Sequence, residues 1–266
     1  MPKYGFSPDG DFPLSYAEKG ICHTNIELPG FEKFEFINGG TAINQVCDYA
    51  TIKPLFTPDK TDLEKFGLIY ENGLIVSHGI AAHGSTPQVG KNAIKSILEY
   101  MLSKGEKVQP YLQNLFNPNV AFCNLQNEQG WLTVSPNLAF SKNGKQILSC
   151  DARIPAPLTT KDFLDCLDKL GFTYEYIERH VPMCVEKDGW FVNTLLGAYN
   201  SVMKTDEKPI SMGGSTYARA FKMGCAFGAG FPNVDNGAHK PNEFMTKTEM
   251  INAYKIYKQA IENLVK

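Results

Sequence analysis

Two asparagine–glycine pairs constrain the fold of this 266-residue chain more than any other feature. Asn72-Gly73 lies between the apolar runs 68–70 and 74–76, and Asn143-Gly144 lies between residues 138–140 and 146–148. Two-residue loops of this composition favour the positive φ angles of type I′ turns, whose twist matches that of paired strands. Both pairs therefore predict β-hairpins, and hairpins build antiparallel sheets.

Helical periodicity is interspersed among these hairpins. Apolar residues recur at helical spacing from Asn92 to Lys104, where Gly105 is a stop signal, and again from Lys161 to Leu170. Thr159 and Asp162 have the spacing of a capping box at the start of the second helix. This order of elements predicts an α+β domain in which an open antiparallel sheet carries its helices on one face.

The pattern outside residues 20–182 is different. Helices are predicted over residues 190–203 and from 247 to about 265, the second opened by Thr246 and Glu249 as another capping box. These longer helices alternate with short buried runs, which is typical of α/β architecture. We therefore expect two domains, one formed by residues 1–19 with 183–266 and the other by residues 20–182.

Composition excludes several classes of partner. A hydrophobic content of 43% is enough for a sizeable core, and a net charge of -2 without a lysine or arginine cluster gives no basis for binding nucleic acid or an anionic membrane. The seven cysteines are scattered and never spaced as Cys-x-x-Cys, which argues against a disulfide framework and a zinc knuckle. With no apolar signal core or membrane-spanning run, a cytoplasmic location is expected.

Residues 77–93 present a histidine among small neighbours. His83 lies between Ala82 and Gly84, and Pro87 stiffens the chain where it leaves the loop. Such a loop lets a ligand or backbone approach the imidazole closely. A loop histidine that is merely solvated or bonded to backbone has the same pattern, so the residues alone leave both interpretations open.

Asp9 near the start of the chain and His239 near its end are ligand types that zinc accepts. Both lie in loops where α/β proteins form sites. The composition of residues 8–11 is also that of a type I turn, in which Asp9 or Asp11 merely caps the turn. Zinc needs about four ligands, and no other aspartate, glutamate or histidine has motif context of that kind. The residues alone do not predict a complete metal centre within this chain.

Six blocks occur in order across nearly the whole chain: Pro8–Pro13 with Glu18-Lys19-Gly20; Gly39-Gly40 with Asn44; Ala82–Pro87 with Gly90 and Asn92-Ala93; Asp151–Pro155; Gly213–Arg219; and Ala238-His239 with Asn242-Glu243. Together they resemble the PepV-type dipeptidases of the di-zinc metallopeptidase family twenty, which also holds carnosinase, aminoacylase and carboxypeptidase G. The resemblance implies the C-terminal part of an α/β zinc-peptidase catalytic domain with an inserted α+β lid domain. Residues 20–182 would be the lid.

The resemblance also implies two metal ligands. Asp9 would ligate one zinc ion and His239 the other, with Asp11 as the alternative to Asp9. Glu243 would orient His239 from outside the coordination shell.

The lid residues receive roles from the same resemblance. His83 would polarise the scissile carbonyl and stabilise the oxyanion, while Asn44 and Arg153 would hold the substrate carboxylate. The turn that opens the next helix, residues Gly213, Gly214, Ser215 and Thr216, would offer further N–H donors to that carboxylate. A surface salt bridge is the alternative role for Arg153, and more strongly for Arg219.

The sequence lacks the N-terminal motifs of the family that it resembles. Those peptidases carry upstream a His-x-Asp ligand motif, a bridging aspartate and a Glu-Glu pair that includes the general base, and none of these stands in this sequence. We expect a C-terminal portion that lacks the base and three metal ligands and is inactive alone. A separately encoded N-terminal half is a candidate partner. The alternative is a non-catalytic remnant or binding module that retains the lid.

Overall fold

The structure is a computed structural model that describes residues 2–234, 236–237 and 242–265. The chain forms two compact units. We call Met1–Lys19 with Pro182–Lys266 the terminal unit, and Gly20–Val181 the central unit. Each is described by itself below.

The strands, in chain order, are β1 (Tyr4–Ser7), β2 (Gly10–Asp11), β3 (Ser15–Glu18), β4 (Gly20–Glu27), β5 (Phe34–Gly39), β6 (Tyr49–Pro54), β7 (Leu68–Glu71), β8 (Leu74–His78), β9 (Gln126–Asn127), β10 (Gly130–Trp131), β11 (Thr133–Lys142), β12 (Lys145–Ile154), β13 (Tyr174–His180), β14 (Met183–Cys184), β15 (Ile210–Met212), β16 (Met223–Ala226) and β17 (Ala229–Gly230).

The α-helices are α1 (Lys60–Glu64), α2 (Ala93–Ser103), α3 (Gln109–Leu115), α4 (Thr160–Lys169), α5 (Trp190–Met203) and α6 (Lys247–Leu264). Short 3-10 helices occur at Pro87–Val89, Phe122–Asn124 and Tyr217–Ala220. None of the helices in the described part of the chain is long and apolar enough to cross a membrane. The predicted mixed α/β class is confirmed.

The central unit is built on an eight-stranded sheet in the order β13-β4-β12-β11-β5-β6-β8-β7, in which neighbouring strands are antiparallel. Both predicted hairpins are confirmed. Their turn residues all have positive φ angles: 51° at Asn72, 79° at Gly73, 52° at Asn143 and 76° at Gly144. The asparagine–glycine sequence thus supplies the left-handed backbone that type I′ turns require.

The two predicted helices of this unit are α2 and α4. The Asn92 side chain accepts the N–H of Ile94 at the start of α2, and Thr159 with Asp162 forms the expected capping box of α4. Each cap satisfies backbone donors that would otherwise lack partners, which is worth about 1 kcal/mol. The short helices α1 and α3 were not predicted, because each has too few turns to show periodicity.

Strand alternation separates an apolar face of this sheet from a polar one. On β12 the even-numbered residues 148–154 are buried in one core with apolar residues of α2, α3 and α4. The odd-numbered Ser149, Asp151 and Arg153 therefore lie on the opposite face. Across that face Asp151 is in register with His23 of β4 and Ser135 of β11.

The terminal unit combines a small mixed sheet with two helices. Its strands run in the order β1-β16-β3-β14, with β15 parallel to β3. The helices α5 and α6 have the predicted bounds to within one residue, and Thr246 with Glu249 caps α6 as expected. The apolar core of this unit contains Phe12, whose ring packs against those of Tyr199 and Phe227.

Candidate active site

The loop after β8 is held against the segment after β5 by backbone hydrogen bonds. The Val46 N–H donates to the Ala82 oxygen at 2.9 Å, and the Gly84 N–H donates to the Asn44 oxygen at 2.7 Å. Between these two bonds His83 faces Gln45 in an antiparallel bridge. Two predicted site residues, Asn44 and His83, are thus close neighbours with exposed side chains.

The His83 imidazole is oriented by the residue two positions further on. Its Nδ1 accepts the backbone N–H of Ser85 at 3.2 Å and lies 2.6 Å from the Ser85 hydroxyl. Because a backbone N–H can only donate, the neutral ring carries its proton on Nε2. An exposed imidazole with an Nε2–H donor has the chemistry that stabilisation of an oxyanion requires.

Arg153 lies on the polar face of the sheet and is paired with Asp151 two residues before it. Its Nε is 3.0 Å from Asp151 Oδ1, and a terminal nitrogen is 2.8 Å from Oδ2. Arg153 is 3% exposed and Asp151 is not exposed at all, so this pair is buried. The ion pair expected as the alternative role of Arg153 exists, but it is buried and not on the surface.

Gly84 brings the histidine loop onto the same carboxylate. A Cβ atom at this glycine would lie 2.5 Å from Asp151 Oδ2, so the loop backbone rests directly on Asp151. His23 of β4 approaches from the other side, with Nε2 3.7 Å from Asp151 Oδ1. Burial lowers the pKa of His23, and the Asp151 carboxylate opposes that shift.

Of the predicted metal ligands, those within the described residues are Asp9 and its alternative Asp11, and both lie in the terminal unit. Asp9 is exposed, and its Oδ2 accepts the N–H of Tyr217 at 3.2 Å. Asp11 is also exposed and its carboxylate lies against Gly230. His239, the second predicted ligand, lies outside the described residues, and the exposed Glu243 therefore cannot be placed against it.

A metal ion does not fit the described residues by themselves. Among residues 2–234, 236–237 and 242–265, no three histidine, cysteine, aspartate or glutamate side chains are grouped so that they could hold one. The Asp9 carboxylate is one donor, held by a backbone amide.

The turn at Gly213, Gly214, Ser215 and Thr216 differs from its prediction. It opens a 3-10 helix of four residues that is capped by Thr216, and not an α-helix. The Thr216 N–H donates to Glu18 Oε2 at 3.1 Å and its hydroxyl donates to Oε1. Both Thr216 donors are therefore engaged by an internal carboxylate rather than open to a substrate.

Arg219 completes this arrangement. Its Nε lies 2.8 Å from Oε2 of Glu18, which is 1% exposed, and its terminal nitrogen donates to the Lys19 oxygen at 2.9 Å. Burial lowers the pKa of Arg219, and the Glu18 carboxylate opposes that shift. The ion pair expected for Arg219 exists, but it lies within the terminal unit and not on its surface.

Comparison with known proteins identifies the chain. The sequence model of Peptidase family M20/M25/M40 matches residues 22–263. The chain belongs to this peptidase family. The resemblance read from the six sequence blocks is thereby confirmed at the level of the family.

The chain spans 64% of the length of two curated relatives that it matches. A protein of Staphylococcus epidermidis named "Putative dipeptidase" is 29% identical over 301 residues, which cover 98% of this chain and 64% of that protein. A Staphylococcus saprophyticus relative of the same name is 27% identical, with 99% and 64% coverage. The aminopeptidase PepT of Bacillus cereus aligns with a TM-score of 0.48 and 11% identity, over 99% of this chain and 58% of that one.

Two carboxylates that support the predicted site could not be assigned roles from the sequence. Asp151 appeared as part of a motif without a role, although its spacing from Arg153 puts both side chains on one face of a strand. That signal could have found the pair. The contacts of Glu18 with Thr216 and of Asp151 with His23 depend on pairings between distant segments, which no local pattern reveals.

Proposed function

We propose that this chain belongs to a zinc-dependent dipeptidase that hydrolyses dipeptides with a free C-terminal carboxylate. Membership of a peptidase family and the dipeptidase names of two relatives support this. The observation that carries the proposal is the cluster in the central unit. It places an exposed imidazole N–H donor beside Asn44 and above the buried pair that contains Arg153.

In this proposal His83 donates from Nε2 to the oxyanion that forms as the peptide carbonyl is attacked. Its Nδ1 is occupied by Ser85, so His83 is assigned electrostatic stabilisation through Nε2 and not proton abstraction. Asn44 and Arg153 hold the substrate carboxylate. Donors of the oxyanion kind typically contribute about 10² to 10³ in kcat.

The metal ligands of the proposal are Asp9 and His239, with zinc as the ion. Because the sequence holds neither the His-x-Asp motif nor the Glu-Glu pair of the resembled family, we propose that the 266-residue chain is inactive until a further polypeptide segment supplies the remaining ligands and the general base. The chain spans 64% of the length of its two Staphylococcus relatives, which is consistent with such a segment. The segment could be joined to this chain or separate from it.

The test compares the chain alone with the chain fused to the portion of the Staphylococcus epidermidis relative that it does not match. Hydrolysis of alanylalanine and of alanylalaninamide is measured with added zinc. We expect no turnover by the chain alone, and turnover of the free dipeptide but not its amide by the fusion. Turnover by the 266-residue chain alone would contradict the proposal that the chain needs a further segment for activity. A folded, zinc-loaded fusion that binds alanylalanine without cleaving it would favour a binding module.

His83→Ala in the active fusion tests the assigned chemistry. It should lower kcat by about 10² to 10³ with little change in KM or zinc content. His78→Ala is the matched control, because His78 is another exposed histidine of the central unit that lies outside the cluster. Loss of zinc from the His83 variant, or a kcat within about twofold of the parent, would show that His83 does not act as proposed.

A further inference from the structure

We propose that Asp151 and Gly84 are positioning residues that together fix Arg153 and His83 relative to each other. The catalytic consequence rests on the proposed function, whereas the positioning itself does not. The two residues touch neither substrate nor reacting atoms. They act through the guanidinium and the imidazole that they support.

Asp151 fixes the guanidinium of Arg153. The carboxylate receives two parallel N–H donors, one 3.0 Å from Oδ1 and one 2.8 Å from Oδ2. Two such bonds define the plane of the fork as well as its position. Since Asp151 is fully buried on a strand in the middle of the sheet, the support itself is rigid.

Gly84 allows the loop that carries His83 to lie directly against the Asp151 carboxylate. Its φ angle is not positive, so the backbone here does not require glycine, but the available space does. A Cβ would lie 2.5 Å from Asp151 Oδ2 and 3.1 Å from the Asn44 oxygen. Any larger residue would have to lift the loop from the carboxylate or displace the segment of Asn44.

The two contacts give His83, Asn44 and Arg153 one common support. His83 is the residue before Gly84, and the Gly84 N–H bonds the backbone of Asn44. In a dipeptide the carboxylate and the scissile carbonyl are separated by a fixed number of bonds. The groups that bind them must therefore keep a fixed separation, and misplacement by about 1 Å can cost about 10²-fold in rate.

The first experiment uses Gly84→Ala in the full chain, with ¹⁵N shifts of the His83 ring and hydrogen exchange of the Val46 amide as readouts. We expect the His83 shifts to move and Val46 exchange to accelerate. Gly30→Ala is the control, because a Cβ at this glycine of the central unit meets no atom within 4 Å. The same substitution is then made in an Asp151→Ser/Arg153→Met background, which removes the carboxylate and its partner charge together. There the changes that Gly84→Ala causes in the His83 shifts and in Val46 exchange should be at most half as large.

An equal effect of Gly84→Ala in both backgrounds would overturn the proposal, because the clash would then not be with Asp151. Should Gly84→Ala fail to fold, Asp151→Asn gives a second measurement. A shared support predicts that Asp151→Asn moves both the Arg153 Nε–H resonance and the His83 ring resonances. Movement of the arginine resonance alone would refute the shared support.

The active fusion adds a functional readout. Gly84→Ala should lower kcat by about 10- to 100-fold, whereas the control Gly30→Ala should leave kcat unchanged. If the fusion has no activity even with Gly84, the proposed function fails while the spectroscopic result still decides the positioning. If the fusion is active and Gly84→Ala leaves kcat unchanged, the proposed function stands and the positioning role is wrong.

Discussion

Each unit of the protein contains one buried carboxylate paired with an arginine, and the two pairs are built differently. In the central unit Asp151 and Arg153 are two residues apart on one strand, and both face the polar side of the sheet. In the terminal unit Glu18 ends β3, whereas Arg219 lies in a 3-10 helix near the other end of the chain. The first pair is local and the second joins distant segments.

The difference shows what each pair can do. Strand geometry alone brings Asp151 to Arg153, and the loop at Gly84 lies against the same Oδ2 oxygen that accepts from Arg153. Glu18 instead uses its oxygens to bind Thr216 and Arg219, so it fixes the backbone of the turn. That turn continues into Tyr217, whose N–H bonds Asp9. One pair supports side chains, and the other supports a backbone that orients a predicted metal ligand.

The largest predicted effect comes from breaking the long-range pair. Glu18→Gln keeps the shape but leaves the buried Arg219 charge without its partner, which should lower the free energy of unfolding of the terminal unit by about 3–5 kcal/mol. The two tryptophans separate the units, since Trp131 lies in the central unit and Trp190 in the terminal one. Urea unfolding followed at Trp190 in a Trp131→Phe background measures the effect.

Asp206→Asn is the control for this variant, because Asp206 and Lys208 form an ion pair of the terminal unit that is largely exposed. Its removal should leave the transition unchanged. A Glu18→Gln midpoint equal to that of Asp206→Asn would show that the buried pair contributes no stability.

Breaking the local pair should cost nearly as much. Asp151→Asn likewise leaves a buried arginine charge, that of Arg153, without its partner, so we expect a decrease of about 3–4 kcal/mol in the free energy of unfolding of the central unit. The measurement follows Trp131 in a Trp190→Phe background. If the Trp190 transition in the reciprocal background moves as much as the Trp131 transition, the two units do not unfold separately and the comparison between the pairs is lost.

The sequence predicted those parts of the molecule that local physics determines. Asn72-Gly73 fixed a hairpin, and Thr159 with Asp162 fixed a helix start, because turns and caps depend on neighbouring residues alone. His83 could be recognised as a presented side chain for the same reason. The tautomer of His83 could not be predicted, since it depends on the loop conformation that places the Ser85 N–H against Nδ1.

The remaining features needed the tertiary fold. A glutamate in the sequence Ala-Glu-Lys-Gly gives no sign that it will be 1% exposed and paired with Arg219. Burial of a charge is decided by which segments cover it, and these come from opposite ends of the chain. The four-residue helix after Thr216 likewise reflects its attachment to Glu18 and not its helix propensity.

The pH dependence of the stability of the central unit tests the surroundings of Asp151 without breaking its ion pair. Burial holds the pKa of His23 below its usual value of 6.5, against the pull of Asp151, while Arg153, Arg179 and His180 add to the lowering. The unfolded chain therefore binds a proton at a higher pH than the folded chain does. The free energy of unfolding of the central unit, followed by Trp131 fluorescence, should fall as the pH drops through 6.5. It should level off below the pKa of His23 in the folded chain.

His23→Gln should remove this part of the pH dependence, and His78→Gln, at an exposed position on the same sheet, should leave it in place. The expected change is smaller than that of a broken ion pair because both protonation states of His23 keep the Asp151–Arg153 bonds. A pH profile that is the same for the parent and His23→Gln would mean that His23 does not sense this cluster.

The smallest predicted effects come from two matched caps, one in each unit. Thr159 caps α4 and Thr246 caps α6, each with a capping box of the same design. Thr159→Ala and Thr246→Ala each remove one bond to a helix N–H and should lower stability by about 1 kcal/mol. Because each cap is local, Thr159→Ala should move only the transition seen at Trp131, and Thr246→Ala only that seen at Trp190. A Thr246→Ala variant that shifts the Trp131 transition equally would contradict the division into two units, since a change confined to one folded body has no reason to lower the stability of the other.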